Sequence, residues 1–346
     1  MRTAFFATAA AGLAALAISA SAWAGPQNVF QVNTRVVDSE GPGPAAVDPD
    51  LVNPWGISQA PQGALWISDN HTSKSTLYDR KTYGKLGLIV NIPGPGGGGG
   101  SPTGTVFSPF AGSGAFDGSV FLFVTEEGSI VGWKGSDGTQ AVTEIDNSVQ
   151  GSSYRGVAVA TQGGQPRLYA ADFARGVVEM YDAGFTHLGD FTDPSLPAGY
   201  GPFDVQALGG QIYVSFAKRQ PGGDDEQVGA HLGYVDVFDT AGHLVKQLVA
   251  KGALNAPWGM MIAPKGFGDF GGDLLVGNFG DGRINVYDPE SGAHLGTLKD
   301  SGGDPIEIEG LWGLAPGAHA TVVFTAGPGD EEHGALGSIE FAGATP

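Results

Sequence analysis

Hydrophobic and polar positions along the chain alternate in short segments that predict antiparallel strands. Within residues 273–298, Leu274–Val276 is an apolar run, Arg283–Tyr287 alternates polar and apolar side chains, and His294–Leu298 follows a turn rich in Asp and Pro. Trp258–Ile262, just upstream, is a fourth segment of this kind. Short alternating segments bounded by Gly, Asp and Pro are typical of strands joined by tight turns. Together they predict one four-stranded antiparallel sheet.

The same sheet recurs along the chain. Its first strand, which becomes the inner strand of each unit, is found as WGIS (55–58), GTVF (104–107), RGVA (155–158), FDVQ (203–206), WGMM (258–261) and WGLA (312–315). Gly56 and Gly313 are 257 residues apart in the first and last copies, so the five steps average about 51 residues, close to the period of a propeller blade. The repeats therefore predict six blades.

The sixth unit lacks an outer strand of its own, and the other end of the chain supplies a candidate. Val29–Val37 alternates well and precedes the first inner strand. If it pairs with Leu336–Phe341, the last third strand, the ring closes and two open sheet edges disappear. We therefore predict an all-β, six-bladed β-propeller of four-stranded antiparallel blades, formed as a single domain by residues 25–346.

Composition agrees with this fold and limits the partners. Of 346 residues, 59 are Gly and none is Cys; this Gly content is more than twice the usual share of about 7% and indicates many tight turns. The absence of Cys excludes disulfides and thiol chemistry. With 36 Asp and Glu against 17 Lys and Arg, the net charge is −19. This disfavours nucleic acids and anionic membranes, which need clustered basic residues.

Residues 1–24 have the pattern of a signal peptide. Arg2 is followed by an apolar stretch over Phe5–Ala17 and by the cleavage pattern Ala-Trp-Ala at 22–24. A membrane anchor is the alternative, but the apolar stretch is short for a span of about 20 residues. We expect cleavage before Gly25, a mature chain without a membrane span, and export to the periplasm or the extracellular space.

Candidate binding residues lie on loops expected to share one face of the propeller. The connections between blades, and between second and third strands, surround one mouth of the central channel, where binding groups usually collect. For the three Trp that precede Gly, a structural role as wedges or channel floor is the alternative to contact with a ligand. The candidates for contact with a small-molecule or protein ligand are Asn53, Trp55, Asn70, His71, Arg155, Phe173, Trp258, Asn278, Phe279 and Trp312.

The same loops contain candidates for a metal site and for catalysis. Oxygen donors at comparable points of different blades could converge on a divalent cation such as Ca²⁺ or Zn²⁺, or could simply cap turns beside Gly. Glu331, His333 and Asp172 are candidates for general acid–base catalysis, and the alternative for the cluster around His333 is a solvated loop. The candidate metal ligands are Asp69, Asn70, Asp172, Asn278 and Glu331.

The repeats WGI (55–57), LYAADF (168–173) and GRINVYD (282–288) resemble those of NHL-type six-bladed propellers. More closely, NPWG (53–56), NFGDGRI (278–284), GLW (310–312) and the stretch from TAGP (325–328) to HG (333–334) resemble an uncharacterised family of exported bacterial propeller proteins, some with a PEP-CTERM tail. The resemblance implies fold and export but no activity. Related propellers include binding platforms, metal-dependent lactonases and lyases.

Two functions remain open. The first is a monomeric binding platform for a small molecule or a protein on the loop face. The second is a hydrolase, lactonase or lyase that acts at the channel mouth with a bound Ca²⁺ or Zn²⁺. A purely structural component of the cell envelope, with neither activity, is the remaining hypothesis.

Overall fold

The computed structural model describes residues 27–40, 43, 45–223 and 225–345. The predicted signal peptide, residues 1–24, lies outside these residues, so its cleavage and the export of the chain stay predictions. Within the described residues, no helix has both the length and the apolar character needed to cross a membrane. The regular structure consists of strands, with only single turns of 3₁₀-helix between them.

The strands form six sheets that correspond to six blades. The ring-closing segments at the start are β1 (Gln27–Val37) and β2 (Ala46–Val47). Blades one to three contain β3 (Pro54–Gln59), β4 (Leu65–Asp69), β5 (Lys74–Tyr78), β6 (Lys85–Asn91), β7 (Pro102–Phe107), β8 (Phe121–Thr125), β9 (Ser129–Trp133), β10 (Val142–Asp146), β11 (Tyr154–Gln162), β12 (Gln165–Asp172), β13 (Val177–Tyr181) and β14 (His187–Phe191). Blades four to six contain β15 (Tyr200–Leu208), β16 (Gln211–Lys218), β17 (Gly233–Phe238), β18 (Leu244–Ala250), β19 (Pro257–Ile262), β20 (Leu274–Asn278), β21 (Ile284–Tyr287), β22 (His294–Thr297), β23 (Leu311–Pro316), β24 (Val322–Ala326) and β25 (Ala335–Thr345).

The ring closes as the sequence predicts. In blade six the strand order is β2-β1-β25-β24-β23, and β1 pairs antiparallel with β25, with Val32 opposite Ile339. Both ends of the described chain therefore belong to one sheet. The short parallel strand β2 on the outer edge of β1 was not predicted, because two residues are too few to show a period.

Glycine allows the inner strands to approach one another around the axis. A Cβ on Gly259 of blade five would lie 2.5 Å from the Trp312 carbonyl oxygen of blade six, and one on Gly313 would lie 2.6 Å from the Trp55 carbonyl oxygen of blade one. No side chain fits at these distances. Each inner strand also shows a break in register against its neighbour close to this position, as a β-bulge produces.

Apolar side chains fill the space between neighbouring blades. One cluster joins Tyr169 and Val178 of blade three to Val214 and Phe238 of blade four, and equivalent clusters lie between other blades. Burying such side chains is the main stabilising contribution, about 25 cal/mol per Å² of apolar surface. The packed ring is the rigid base on which the loops of one face are held.

Candidate functional site

Three Trp side chains form a closed floor beneath the loop face. The rings of Trp55 and Trp312 stack with centroids 3.4 Å apart, and Trp258 meets both edge-on at 5.8 Å. They are 2%, 0% and 3% exposed, respectively. Rings buried against one another in this way pack as a core. The sequence left open whether these Trp contact a ligand or have a structural role. Their buried positions are those of a structural floor of the channel.

Asn53 connects the floor to the polar groups above it. Its backbone has φ of 45°, a left-handed conformation that Asn tolerates better than most residues. Its side-chain oxygen accepts a hydrogen bond from Trp312 Nε1 at 3.0 Å, and its Nδ2 donates to Glu331 Oε2 at 2.7 Å. The same Nδ2 lies 3.4 Å from His71 Nε2. The structure therefore brings together four of the predicted site residues, from segments far apart in sequence.

Arg155 is buried over the same floor. Its guanidinium carbon lies 5.4 Å from the Trp55 ring centroid and 5.8 Å from that of Phe173, within the range of cation–π attraction. Arg155 forms an ion pair with Glu126. Glu126 also accepts a hydrogen bond from Asn70 Nδ2 at 3.2 Å. Glu126 was not among the sequence candidates, because no fixed spacing separates it from the side chains that it meets.

Carboxyl groups are crowded above Arg155. Burial raises the pKa of Glu331, against the opposing effects of its hydrogen bond from Asn53 and the nearby His71 and Arg155. The pKa of Glu226 is raised to about 7, mainly by burial and also by the charges of Glu331 and Asp225, against the opposing effects of its backbone hydrogen bond and of Arg155. Such crowding disfavours full ionisation of every carboxyl and favours a positively charged partner.

A cavity of about 590 Å³ opens beside this crowded region, between the loops of blades five and six. Phe279, which is half-buried and stacks on Trp312 with centroids 4.1 Å apart, forms its apolar wall. Its lining contains five carboxylates and no Lys or Arg. We call this cavity the acidic pocket; it is lined by Val228, Phe279, Gly280, Asp281, Gly282, Glu307, Glu309, Gly310, Gly327, Asp330 and Glu331.

Hydrogen bonds hold two of these carboxylates at the edge of the acidic pocket. Glu309 Oε1 accepts from the backbone N–H of Gly329 at 3.1 Å, and Arg283 binds Glu307 Oε1 through Nη2 at 2.7 Å. Glu331 is held by Asn53 on the side of the channel mouth. The carboxylates are therefore positioned by the fold.

The three predicted catalytic residues have separate hydrogen-bond partners. Asp172 is buried, and its Oδ1 accepts from the backbone N–H groups of Ser153 and Arg175. His333 Nδ1 instead lies 3.0 Å from Oδ2 of Asp38, which raises the pKa of His333. Glu331 is bound by Asn53, Asp172 by backbone N–H groups and His333 by Asp38. Each of these three candidates therefore has its own hydrogen-bond partners, and a role of Glu331, His333 or Asp172 in catalysis stays a prediction.

The predicted metal ligands are also kept apart. Asp69 Oδ2 accepts from the backbone N–H of Thr76 at 2.8 Å, and Asn278 Nδ2 donates to the Ala253 carbonyl at 2.8 Å. Across the described part of the chain, no three His, Asp or Glu side chains are grouped so that they could hold a metal ion. Asp69, Asp172 and Asn278 therefore stabilise backbone turns and strand ends, which is the alternative that the sequence left open for them.

Comparisons with solved structures give the fold. The chain superposes on an auxiliary nutrient binding protein from Bacteroides ovatus with a TM-score of 0.59, at 13% identity over 90% of this chain and 77% of that one. A streptogramin B lyase gives a TM-score of 0.53, also at 13% identity, over 90% and 97% of the two chains. At this identity the likeness establishes a shared β-propeller fold and carries no activity across.

Comparisons of sequence give the relatives. No family model matches the chain. Uncharacterized protein R648 of Acanthamoeba polyphaga mimivirus is 33% identical over 317 residues, which cover 85% of this chain and 76% of that protein. Uncharacterized protein L690 of the same virus is 33% identical over 321 residues, or 85% and 82% of the two chains. The chain belongs to the family of uncharacterised proteins that includes R648 and L690.

Proposed function

We propose that this protein is a binding protein and that its acidic pocket takes a small organic cation, such as an amine or a guanidinium compound. The observation that carries the proposal is the lining of the pocket, which combines five carboxylates with the half-buried ring of Phe279 and contains no basic side chain. A volume of about 590 Å³ lies within the usual range of small-molecule pockets.

Charge complementarity favours this class of ligand. A cation between Asp281, Glu309 and Glu331 would reduce the repulsion among these carboxylates, because no basic residue lines the pocket to do so. The Phe279 ring can attract the same cation through its π-face and can also pack against its carbon skeleton. An anionic ligand would meet repulsion on most sides of the pocket.

Binding has more support than catalysis. The groups that the sequence suggested for acid–base chemistry each have separate hydrogen-bond partners. Glu331 remains available in the binding role because its carboxylate lies at the boundary of the acidic pocket. A metal-assisted reaction would need a group of His, Asp or Glu ligands around the ion, and the described residues form no group of three or more.

We also propose that the protein is exported, since residues 1–24 have the pattern of a cleaved leader. Mass spectrometry of the protein recovered outside the cytoplasm of a secreting bacterial host gives the first residue of the chain and tests this proposal. A chain that starts at Gly25 supports it, and an uncleaved chain found inside the cell contradicts it.

The binding proposal is tested by isothermal titration calorimetry at low ionic strength with choline, agmatine and spermidine. 3,3-Dimethylbutan-1-ol, a neutral compound with the shape of choline, serves as the comparison ligand. We expect saturable binding of at least one cation, weaker binding at higher salt, and none of the neutral compound. Failure of all three cations to bind at about 10 mM, where even a weak site with a free energy near −4 kcal/mol would be occupied, would refute the proposal.

Variants locate the site. We expect Glu331→Gln to weaken the binding of the cation about tenfold, equivalent to about 1.4 kcal/mol, and Phe279→Ala to weaken it further through the loss of the aromatic wall. Glu290→Gln removes the same charge from an exposed turn outside the pocket and is the matched control. Equal binding by all three variants would place the ligand elsewhere.

A further inference from the structure

The propeller axis contains a second, much smaller cavity. The inner strands of all six blades line it, four of them with glycines, and its volume is about 10 Å³. This is room for about one particle of the size of a water molecule. The cavity is distinct from the acidic pocket and shares no lining residue with it.

One carboxyl group enters this glycine-lined axis. At the position where the inner strands of the other five blades have glycine, blade four has Asp204, which is 1% exposed. Its Oδ2 accepts a hydrogen bond from Gln206 Nε2 at 3.0 Å, whereas its Oδ1 has no hydrogen-bond partner among the described residues. A Cβ on Gly156 of blade three would collide with this Oδ1, so the neighbouring glycine makes room for the oxygen.

Thr105, which lines the same cavity, carries a second buried oxygen without a partner among the described residues. Thr105, on the inner strand of blade two, is 8% exposed, and its Oγ1 forms no hydrogen bond with the described residues. No Lys, Arg or His is among the residues that line the cavity. An ionised carboxylate away from water costs several kcal/mol, and burial raises the pKa of Asp204 to about 8. The carboxyl group therefore holds either a proton or a cation that the side chains do not supply, and a bound cation would displace the proton.

We propose that the axial cavity binds a single monovalent metal cation, Na⁺ or K⁺, with Asp204 Oδ1 and Thr105 Oγ1 as its side-chain oxygen ligands. The charge of one carboxylate balances the charge of one monovalent ion. A divalent ion would keep an uncompensated charge in the interior, and Ca²⁺ prefers six to eight oxygen ligands. Trp258 also lines the cavity, and its indole N–H has no partner among the described residues. Because an N–H donor attracts a water oxygen and repels a cation, a water molecule is the alternative occupant, and the test distinguishes it from an ion.

The first measurement is thermal unfolding of wild-type protein and Asp204→Asn in NaCl or KCl, with N-methylglucamine chloride keeping the ionic strength constant. N-methylglucamine is too large for the axial cavity, and both proteins retain the acidic pocket, so effects there cancel. We expect the Tm of wild type to rise by about 4 °C between 10 and 500 mM of the bound ion, as linkage requires for a site that only the folded protein forms. The Tm of Asp204→Asn should change much less.

Thr105→Val keeps the carboxylate and removes the second ligand, so we expect it to need a severalfold higher ion concentration for the same rise in Tm. Crystals of wild type grown with Tl⁺, which substitutes for K⁺, should show anomalous density on the axis beside Asp204. In crystals that contain Tl⁺ and neither Na⁺ nor K⁺, an axial peak without an anomalous signal would identify a water molecule and overturn the proposal. A response to Ca²⁺ alone, or equal ion responses of wild type and Asp204→Asn, would also overturn it.

Discussion

The replacement Asp236→Asn tests how a second buried carboxyl is accommodated between blades three and four. Asp236 lies in the middle of β17 and is 0% exposed, and neither of its carboxyl oxygens has a donor partner among the described residues. Burial, followed by the neighbouring carboxyl of Asp193, raises the pKa of Asp236 from 3.8 to about 8. Two carboxyls can form a hydrogen bond only when one of them holds a proton.

The size of the effect follows from linkage. Because the folded protein holds the Asp236 proton more tightly than the unfolded chain does, the free energy of unfolding falls as pH rises from 3.8 towards 8. Between pH 5 and pH 8 this one group removes about 4 kcal/mol, at 1.36 kcal/mol per pH unit and allowing for partial titration at the upper end. Asn has no proton to lose and can donate a hydrogen bond to Asp193, so it removes this part of the pH dependence.

The assay is urea unfolding followed by Trp fluorescence at pH 5, 6, 7 and 8. We expect Asp236→Asn to gain about 4 kcal/mol relative to wild type between the two ends of this range. Other groups titrate in both proteins, so their effects cancel in the difference. Asp269→Asn, which removes a charge at an exposed position, is the control and should follow wild type. If wild type and Asp236→Asn lose stability in parallel, the proton is not held at Asp236 and the reasoning fails.

Two further predictions concern the ring itself. Phe30→Ala, in the closing strand, should lower the free energy of unfolding by about 3–5 kcal/mol, because the Phe30 side chain is 1% exposed. Val142→Ala, at a side chain 46% exposed on an outer strand, should lower it by less than about 1 kcal/mol. Equal losses in urea unfolding would argue against closure of the propeller as a source of stability. Gly259→Ala should destabilise by about 2 kcal/mol or more, since its Cβ would lie 2.5 Å from the Trp312 carbonyl oxygen, while Gly112→Ala, with nothing within 4 Å, should change stability by less than about 0.5 kcal/mol. Similar melting of the two Gly variants would contradict the close approach of inner strands.

The strands could be predicted because their signal is local. Val29–Val37 alternates side chains on two faces, and the observed strand β1 extends that segment by two residues at its start. The predicted last strand, Leu336–Phe341, lies within β25. Their pairing could be predicted by counting outer strands. The sixth blade lacked an outer strand, and Val29–Val37 belonged to no other blade.

The site could be predicted only in part. The topology placed Asn53, His71 and Glu331 on one face, and their side chains meet there. It could not show that His333, two residues from Glu331, would pair with Asp38 instead. It placed Glu126 on the same face but did not select it as a site residue, because the partners of that carboxylate come from blades one and three.

The sequence by itself determined the number of blades, the order of their strands and the segment that closes the ring, because a repeated pattern of period two and the turns between its segments are properties of neighbouring residues. Only the tertiary structure decided which loop side chains are bonded to one another and which polar atoms remain unpartnered. Asn53 and Glu331 are 278 residues apart. The sequence shows Asp204 in place of the glycine of the other five blades, but only the structure shows that its Oδ1 is buried without a partner among the described residues. Such contacts depend on distances across the ring, which the packing of whole blades sets.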